Sequence, residues 1–247
     1  MIFFTKLLII NLLFLSTLFS YDKITIANGE WPPYFSKKLE NFGTTSHIVT
    51  KAFELENIDI EYKWYPWNRG FHLAKNGDLD ATLGWSKTEQ REKHFLFSEP
   101  ILEDYVVFFH LKSFDFKYTT IEKLKDLKIG TISGYSYGNS LKRLKQNKEV
   151  RVFDVIKEEK LIELLLNNRF DLIIMNLNVI NEILEKNFKE KESNKITYNK
   201  KAFHIEQLRV LFNKNKPYNK EYLKRFNKGL KKLKESGEFS RIYKKSN

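Results

Sequence analysis

Hydroxyl and guanidinium groups cluster just after a short apolar segment in the stretch from Asn76 to Pro100. The apolar segment, Leu79 to Trp85, is predicted to be a β-strand, and Ser86, Thr88 and Arg91 follow it in a polar turn. In open α/β sheets, ligands bind outside the carboxyl ends of the strands. An arginine at such a strand end can give a carboxylate two parallel, charge-assisted hydrogen bonds. The spacing therefore predicts that Arg91, with Ser86 and Thr88, holds the acid group of a small solute.

The same three side chains also have purely structural roles open to them. Arg91 could pair on the surface with Glu89 or Glu92. Ser86 and Thr88 could cap the short helix that follows, which is a common role of hydroxyls at a strand-to-helix turn. Capping and ligand binding are compatible, because the free N–H groups at the start of a helix also bind anions.

Strands and helices alternate along the chain, which predicts an α/β fold with two lobes. Further predicted strands are Ile24 to Ala27, Ile58 to Trp64, Tyr105 to Leu111, Lys128 to Ile132, Arg151 to Val155, Asp171 to Met175 and Leu208 to Asn213. Those that begin at Lys128, Arg151 and Asp171 are expected to be buried and parallel. Helices are predicted after the cap hydroxyls of Thr44 to Ser46, at Phe71 to Lys75, Tyr137 to Gln146 and Glu158 to Asn168, and from Pro217 to Gly237. The charged segment from Lys186 to Lys195 is interpreted as a surface loop.

Four segments, in this order, resemble the family 3 extracellular solute-binding proteins, which serve polar amino acid ABC transporters. They are Trp31-Pro-Pro-Tyr34; Gly77 to Ile101, with its Ser-x-Thr-x-x-Arg and Phe-Ser-Glu-Pro-Ile patterns; Lys128 to Gly134; and Asn227 to Tyr243. The resemblance covers nearly the whole chain after residue 22. It implies an α/β, two-lobed periplasmic-binding-protein-like fold of type II with two hinge crossovers, and a protein that binds a solute rather than an enzyme.

The resemblance also implies how the lobes are built. Lobe 1 is discontinuous, with residues 22–110 and 204–247, and lobe 2 comprises residues 111–203. The crossings lie near Phe109 to Phe114 and near Asn199 to His204. A ligand that touches both lobes favours the closed state, and closure signals occupancy to an ABC permease in the inner membrane. A monomer is the simplest expectation.

Aromatic residues and a glycine of lobe 1 are further candidates for the ligand site. The resemblance implies that an aromatic ring after the first strand stacks over the ligand, and Tyr34 is the first choice and Trp31 the second. A rigid turn packed on the core is the alternative for both. Gly84 and Trp85 directly precede the serine of the polar turn, and Trp85 could form a pocket wall. Trp67 lies where the family often carries a tryptophan at the start of a helix.

Arg69 lies outside the general family pattern. It is either a second cation suited to a doubly acidic ligand or an ordinary exposed arginine. On lobe 2, Tyr135 and Ser136 lie in a glycine turn that opens a helix, a site suited to an anion. The resemblance places this segment against the ligand carboxylate.

Asn176 departs from the family pattern in a way that affects the ligand. Amino-acid binders of the family usually carry an aspartate here, and that aspartate receives the ligand ammonium. An asparagine can accept a hydrogen bond but cannot neutralise a buried cation. Either another acid, Glu30 or Asp154, supplies the charge, or the ligand is not a standard α-amino acid. A small molecule with a carboxylate is the description that fits both cases.

The composition excludes several classes of site. There are no cysteines, so disulfides, thiolate chemistry, Cys-based zinc sites and a lipid-attached cysteine are excluded. The five histidines show neither metal-ligand nor catalytic-triad spacing, so we predict no metal, no cofactor and no catalysis. A dehydratase-type enzyme on the same scaffold is an alternative, and Glu30 is its candidate acid.

The charge distribution and the first residues bear on partners and location. The formal charge is +12, and the segment from Lys214 to Asn247 holds 12 Lys or Arg against 3 Asp or Glu. Apolar residues recur there at helical spacing, which favours a solvated helix face over a nucleic-acid partner. Residues 1–20 are typical of a signal peptide and short for a membrane span, which predicts a periplasmic protein. An uncleaved anchor, as in a sensory ectodomain, is the alternative.

Overall fold

The computed structural model describes residues 22–135, 137–146 and 148–244, and the predicted signal peptide lies outside them. The strands are β1 (Asp22–Asn28), β2 (Ile58–Trp64), β3 (Ala81–Ser86), β4 (Phe95–Phe97), β5 (Leu102–Leu111), β6 (Lys128–Ile132), β7 (Arg151–Val155), β8 (Leu172–Asn176), β9 (Ile196–Tyr198) and β10 (His204–Asn213). The α-helices are α1 (Thr44–Glu54), α2 (Trp67–Asn76), α3 (Glu89–Glu92), α4 (Gly138–Gln146), α5 (Glu158–Leu166), α6 (Leu177–Asn187), α7 (Glu190–Ser193), α8 (Asn219–Glu235) and α9 (Glu238–Lys244). Within these ranges no helix combines the length and apolarity needed to cross a membrane.

The strands form one continuous sheet in the order β2-β1-β3-β10-β5-β8-β6-β7, with β4 beside β10 and β9 beside β5. In the first half of this order, β1 is parallel to both β2 and β3. In the second half, β6 is parallel to both β7 and β8. Strands β5 and β10 lie between these parallel groups and are antiparallel to their neighbours. The sheet therefore consists of two parallel βα units joined by a central antiparallel pair.

The two central strands each run from one half of the sheet to the other. Strand β5 pairs with β10 over Leu102 to Val106 and with β8 over Val106 to Phe109. Strand β10 pairs with β5 over His204 to Leu208 and continues against β3 as far as Phe212. Both strands have ten residues, about twice the usual length of a strand. Any relative motion of the two halves must therefore bend these two strands.

Apolar side chains are buried on both faces of the sheet. A large cluster includes Ile26 and Phe53 of the first half and Ile173 of the second. The helices lie close to one another where small residues allow it. A Cβ atom at Gly229 of α8 would lie 1.9 Å from the carbonyl oxygen of Ala52 in α1, so only glycine permits this approach.

The predicted elements are confirmed over most of the described chain, and three details are wrong. Arg151–Val155 forms a strand parallel to β6, but it is an exposed edge rather than a buried strand, because β6 alone flanks it. Helices α6 and α7 occupy most of the segment interpreted as a loop from Lys186 to Lys195. The N-cap of α1 is Gly43, and its start carries no side-chain cap hydrogen bond from Thr44 to Ser46. Local charge and hydroxyl content misled these predictions.

Candidate functional site

The turn after β3 folds Arg91 back over the end of the strand. Thr88 is the N-cap of α3, and its Oγ1 accepts a hydrogen bond from the backbone N–H of Arg91 at 3.3 Å. The Nη1 of Arg91 donates to the backbone carbonyl of Ser86 at 2.8 Å and to its hydroxyl at 2.9 Å. The three residues predicted from their spacing therefore form one local unit, in which Thr88 orients the helix and Ser86 holds the guanidinium.

The Arg91 guanidinium is half-buried and has no carboxylate partner among the described residues. The predicted alternative, a surface pair with Glu92, does not occur, since Glu92 pairs with Lys87 at 2.7 Å. Burial lowers the pKa of Arg91, and the nearby Glu206 acts in the opposite direction. Nη2 and Nε of Arg91 donate hydrogen bonds to no residue in the described ranges. These two nitrogens can therefore form a bidentate contact with an anion.

Trp85 is the platform on which Arg91 rests. The guanidinium carbon lies 4.7 Å from the centre of the Trp85 ring, within the range of a cation–π contact. The indole N–H of Trp85 donates to the Thr82 hydroxyl at 2.9 Å, and Phe71 packs against its ring at 4.9 Å. These contacts fix the ring, so they also restrict the position of the cation above it.

Gly84 and Trp67 pack on the aromatic residues that surround this turn. Gly84 has a φ of +81°, and a Cβ there would lie 3.0 Å from the Phe35 ring and 3.2 Å from Trp67. The indole N–H of Trp67 donates to the Glu30 carbonyl at 3.0 Å, and its ring meets Trp85 edge-on at 5.7 Å. Gly84 and Trp67 are therefore in the wall behind Trp85, where they position the platform.

Tyr34 and Trp31 reach across to the second half of the molecule. The Tyr34 hydroxyl accepts a hydrogen bond from the side-chain amide of Asn178 at 3.1 Å, and burial raises the pKa of Tyr34. The Trp31 ring packs against Tyr34 at 5.3 Å and edge-on against Tyr135 at 5.9 Å. The Tyr135 hydroxyl in turn donates to Glu158 at 2.5 Å. The loop after β1 thus contacts residues of the second half of the molecule.

One predicted site residue, Arg69, does not join this group. Arg69 is exposed, and its guanidinium lies over the Tyr65 ring at 5.3 Å, without an ion pair to any described residue. Its observed setting matches the alternative of an ordinary exposed arginine. Ser136 lies outside the described residues.

Asn176 ends β8 in a fully enclosed position. Its side chain is 1% exposed, its Nδ2 lies 3.5 Å from Oε2 of Glu206, and its Oδ1 has no hydrogen-bond partner in the described part of the chain. The two acids suggested to compensate for this asparagine are engaged elsewhere. Glu30 accepts from the Lys37 N–H at 3.0 Å, and Asp154 pairs with Lys145 at 2.9 Å.

The acids that do lie next to Asn176 were missed in the sequence. Asp104 of β5 and Glu206 of β10 stand directly opposite each other. Burial raises the pKa of Asp104 to about 6 and that of Glu206 to about 7. The predicted strands began at Tyr105 and Leu208, at the first apolar residues, and so left out both acids. A signal was present, because each acid stands two residues from an apolar residue on the buried face of its strand, Asp104 from Val106 and Glu206 from Leu208.

Two sizeable cavities lie away from this group of residues. One has a volume of about 480 Å³ and is bordered by Lys117 to Thr119 and Tyr198 to Lys201. The other has a volume of about 400 Å³ and lies beside Pro33, Leu39 to Asn41 and Arg241. Neither contains Arg91. The chemistry therefore points to the contact between the halves, where Asn176 and Asp104 carry polar atoms without partners in the described chain, rather than to these two cavities.

Comparisons with known proteins agree with this architecture. The family model of the bacterial extracellular solute-binding proteins, family 3, matches residues 24–246. A probable histidine-binding protein of Neisseria gonorrhoeae is 26% identical over 89% of this chain and 80% of its own length. An arginine-binding periplasmic protein of Mannheimia haemolytica is 27% identical over 90% of each chain.

Solved structures share the fold at low sequence identity. An ancestral arginine-binding protein bound to arginine superimposes with a TM-score of 0.71 at 21% identity, over 91% of this chain and 97% of that one. A histidine kinase sensor domain with similarity to periplasmic binding proteins gives a TM-score of 0.73 at 18% identity, over 91% and 95%. These similarities confirm the predicted α/β, two-lobed periplasmic-binding-protein-like fold.

Proposed function

Because this chain belongs to the family 3 bacterial extracellular solute-binding proteins, we propose that it captures a small, amino-acid-like solute with a carboxylate between its two lobes. The observation that carries this proposal is the guanidinium of Arg91. It is a half-buried cation held by Ser86 and Trp85, and no described residue neutralises it directly. A cation kept in such a setting without a partner charge is suited to an incoming anion.

The contacts of Arg91 favour a carboxylate over other anions. Nη1 is already bound to Ser86, which fixes the plane of the guanidinium. The remaining N–H groups are directed as a planar fork, and this geometry matches the two oxygens of a carboxylate. The Ser86 hydroxyl is polarised by Arg91 and lies at the same edge. Thr88 contributes indirectly, because it caps the helix that carries the arginine.

Closure of the lobes completes the proposed site. We propose that residues 22–110 and 204–247 form lobe 1, residues 111–203 form lobe 2, and β5 and β10 are the two crossing segments. Strand β5 changes its neighbour from β10 to β8 at Val106, a few residues before the proposed boundary. The contacts of Tyr34 with Asn178 and of Trp31 with Tyr135 join the lobes, so these aromatic residues would enclose the ligand. Trp67, Gly84 and Tyr135 would support that enclosure.

The relatives and the family support our proposals for location and partners. The relative from Mannheimia haemolytica is named as a periplasmic protein, and we propose the same compartment for this chain. The closed, loaded form would deliver its solute to an ABC permease in the inner membrane. We propose a monomer that has no cofactor, binds no nucleic acid and catalyses no reaction. A protein of this family has no need of chemistry at the solute, because closure alone transmits the signal.

A thermal-shift experiment with matched ligand pairs tests the proposed function. The probes are L-arginine, L-histidine and L-glutamine, dicarboxylates and short peptides, with agmatine and histamine as the first two amino acids without their carboxylate. A ligand at about 100 times its Kd stabilises the folded state by about 2.7 kcal/mol, which raises Tm by about 5–10 °C for a chain of this size. We expect such a shift from at least one carboxylate-bearing probe and none from its decarboxylated counterpart. Equal shifts within a pair, or no shift from any carboxylate, would contradict the proposal.

A further inference from the structure

Two buried acids lie side by side on the strands that join the lobes. Asp104 on β5 and Glu206 on β10 occupy directly opposite positions of the antiparallel pair. Opposite residues of such a pair project from the same face of the sheet, with Cβ atoms about 5 Å apart. Asp104 is 1% exposed and Glu206 is 7% exposed. Neither forms an ion pair with a residue in the described ranges, and the cation that acts on Glu206 at longer range is Arg91.

A buried amide without a full set of partners faces the same acids. Asn176 lies on the next strand, where its register partner on β5 is Val106. Its Nδ2 reaches Glu206 at 3.5 Å, the outer limit of a hydrogen bond, and its Oδ1 has no partner in the described chain. Oδ2 of Asp104 also lacks a hydrogen bond of normal geometry. Buried polar atoms are rarely left unsatisfied in folded proteins, and such atoms require an explanation.

We propose that Asp104, Glu206 and Asn176 together form the subsite for an ammonium group of the ligand. This inference rests on the proposed function, in which Arg91 receives the carboxylate of the same ligand. An ammonium group has three N–H donors, and the three side chains offer three acceptors. The negative charge that Asn176 does not supply then comes from the strands of the hinge. The ligand class is accordingly an α-amino acid rather than a simple carboxylic acid.

The two subsites are neighbours, since Ser86 is the register partner of Leu208, two residues from Glu206 on β10. The Ser86 hydroxyl accepts a hydrogen bond from Arg91 at 2.9 Å and also approaches the carboxyl group of Glu206. One side chain thus borders both the cation that binds the carboxylate and the acid that binds the ammonium. In an α-amino acid, the carboxylate and the ammonium are attached to the same carbon atom. Two subsites separated by a single serine side chain match that spacing.

Near neutral pH, Glu206 should be protonated in part of the molecules until the ammonium arrives. Burial raises the pKa of both carboxyl groups towards neutrality, to about 6 for Asp104 and about 7 for Glu206. Other titratable groups that face the pair are Arg91 from α3, Tyr34 from the loop after β1, and Tyr137 from the loop before α4. A ligand ammonium favours the charged form of a nearby acid. Its binding near neutral pH should therefore release protons.

Isothermal titration calorimetry with two isosteric variants tests the subsite. Asp104→Asn and Glu206→Gln remove the charges of the two buried acids. Glu103→Gln is the matched control, because Glu103 is exposed, precedes Asp104 in the chain and accepts a hydrogen bond from Gln207 at 2.7 Å. The probes are L-arginine and L-histidine, each with its des-amino analogue. For an amino acid that binds the wild type, we expect each acid variant to weaken binding by about 10- to 100-fold. In the acid variants, the affinity for the des-amino analogue should change by less than about 3-fold. Glu103→Gln should change the affinity for neither the amino acid nor its des-amino analogue.

Proton release gives a second readout that a merely structural role would not produce. Titration of the wild type in two buffers with different ionisation enthalpies should show protons released near pH 7, and a double variant of both acids should show none. An unchanged preference for the amino acid in both acid variants would overturn the subsite and leave the proposed function intact. Equal affinity of the wild type for the amino acid and its des-amino analogue would also overturn the subsite and leave the proposed function intact. If no probe binds the wild type at all, both the function and the subsite are contradicted.

Discussion

Replacement of Arg91 by alanine should weaken the binding of carboxylate ligands by between about 30- and 3,000-fold, a loss of about 2–5 kcal/mol. The guanidinium is the half-buried cation at the end of β3, and its free N–H groups are the donors that a carboxylate would use. Alanine also leaves Ser86 and the face of Trp85 without their partner. The loss falls on ligand binding more than on folding, because the side chain packs on one ring and contributes little to the core.

Two further variants separate charge from geometry at this position. Arg91→Lys keeps the charge but loses the planar fork, so its affinity should lie between those of the wild type and the alanine variant. Arg143→Ala, at an exposed arginine of α4, is the matched control and should bind as the wild type does. Calorimetry gives the affinities, and circular dichroism verifies that each variant is folded. A correctly folded Arg91→Ala protein with wild-type affinity would show that the carboxylate is held elsewhere.

The ligand-free protein should lose stability as the pH rises from about 5 to about 8, through the acids of the hinge. The pKa of Asp104 is raised from 3.8 to about 6 and that of Glu206 from 4.5 to about 7, in both cases by burial. Between the unfolded and folded pKa values, the folded state binds more protons than the unfolded state. The free energy of unfolding therefore decreases with rising pH in this window, and the full penalty is present above about pH 7. For the two acids together, the free energy of unfolding should fall by a few kcal/mol, which corresponds to a fall in Tm of about 5–10 °C.

A comparison of variants isolates this effect from other titrating groups. Burial lowers the pKa of His204, which acts in the opposite direction at low pH, so the wild-type curve alone is not decisive. The double variant Asp104→Asn, Glu206→Gln should be more stable than the wild type above pH 7 and should differ less from it at pH 5. Glu103→Gln should follow the wild-type curve throughout. Parallel melting curves for the wild type and the double variant from pH 5 to 8 would refute the raised pKa values.

The sequence allowed the grouping of Ser86, Thr88 and Arg91 to be predicted because that grouping is local. Ser86, Thr88 and Arg91 lie within one turn, and the contacts among them depend on a strand end and a helix cap that short-range pattern reveals. The C-terminal end of helix α2 was also predicted from the sequence. The predicted helix ended at Lys75, one residue before the observed end at Asn76, and Gly77 follows in the left-handed conformation, with a φ of 91°.

The pairing of Asp104 with Glu206 could not be predicted because it depends on the register between distant strands. Asp104 and Glu206 meet only when β5 pairs with β10 in one alignment, and a shift by one residue would turn an acid to the other face. Glu30 and Asp154, the acids suggested from the sequence, both have other partners.

The strands of the fold were predicted more accurately than the exposure of the edge strand β7 and the structure of the charged segments. Strand bounds at Ile58–Trp64 and Lys128–Ile132 coincide with those expected from apolar patterning. Helix α6 was not anticipated, although Lys186 and Glu182 form an i,i+4 pair on its surface. Charge-rich helices are easily mistaken for loops in a sequence, because only one face of the helix is apolar and buried. In α6 that face contains Val179 and Ile180.

A crystal structure of the wild-type protein with the amino acid that gives the largest thermal shift would test the central claim most directly. The predicted result is a ligand enclosed between the lobes, with both carboxylate oxygens about 3 Å from the Arg91 guanidinium and the ammonium at a similar distance from Asp104 or Glu206. A ligand seated in either outlying cavity would contradict it, as would one whose carboxylate avoids Arg91.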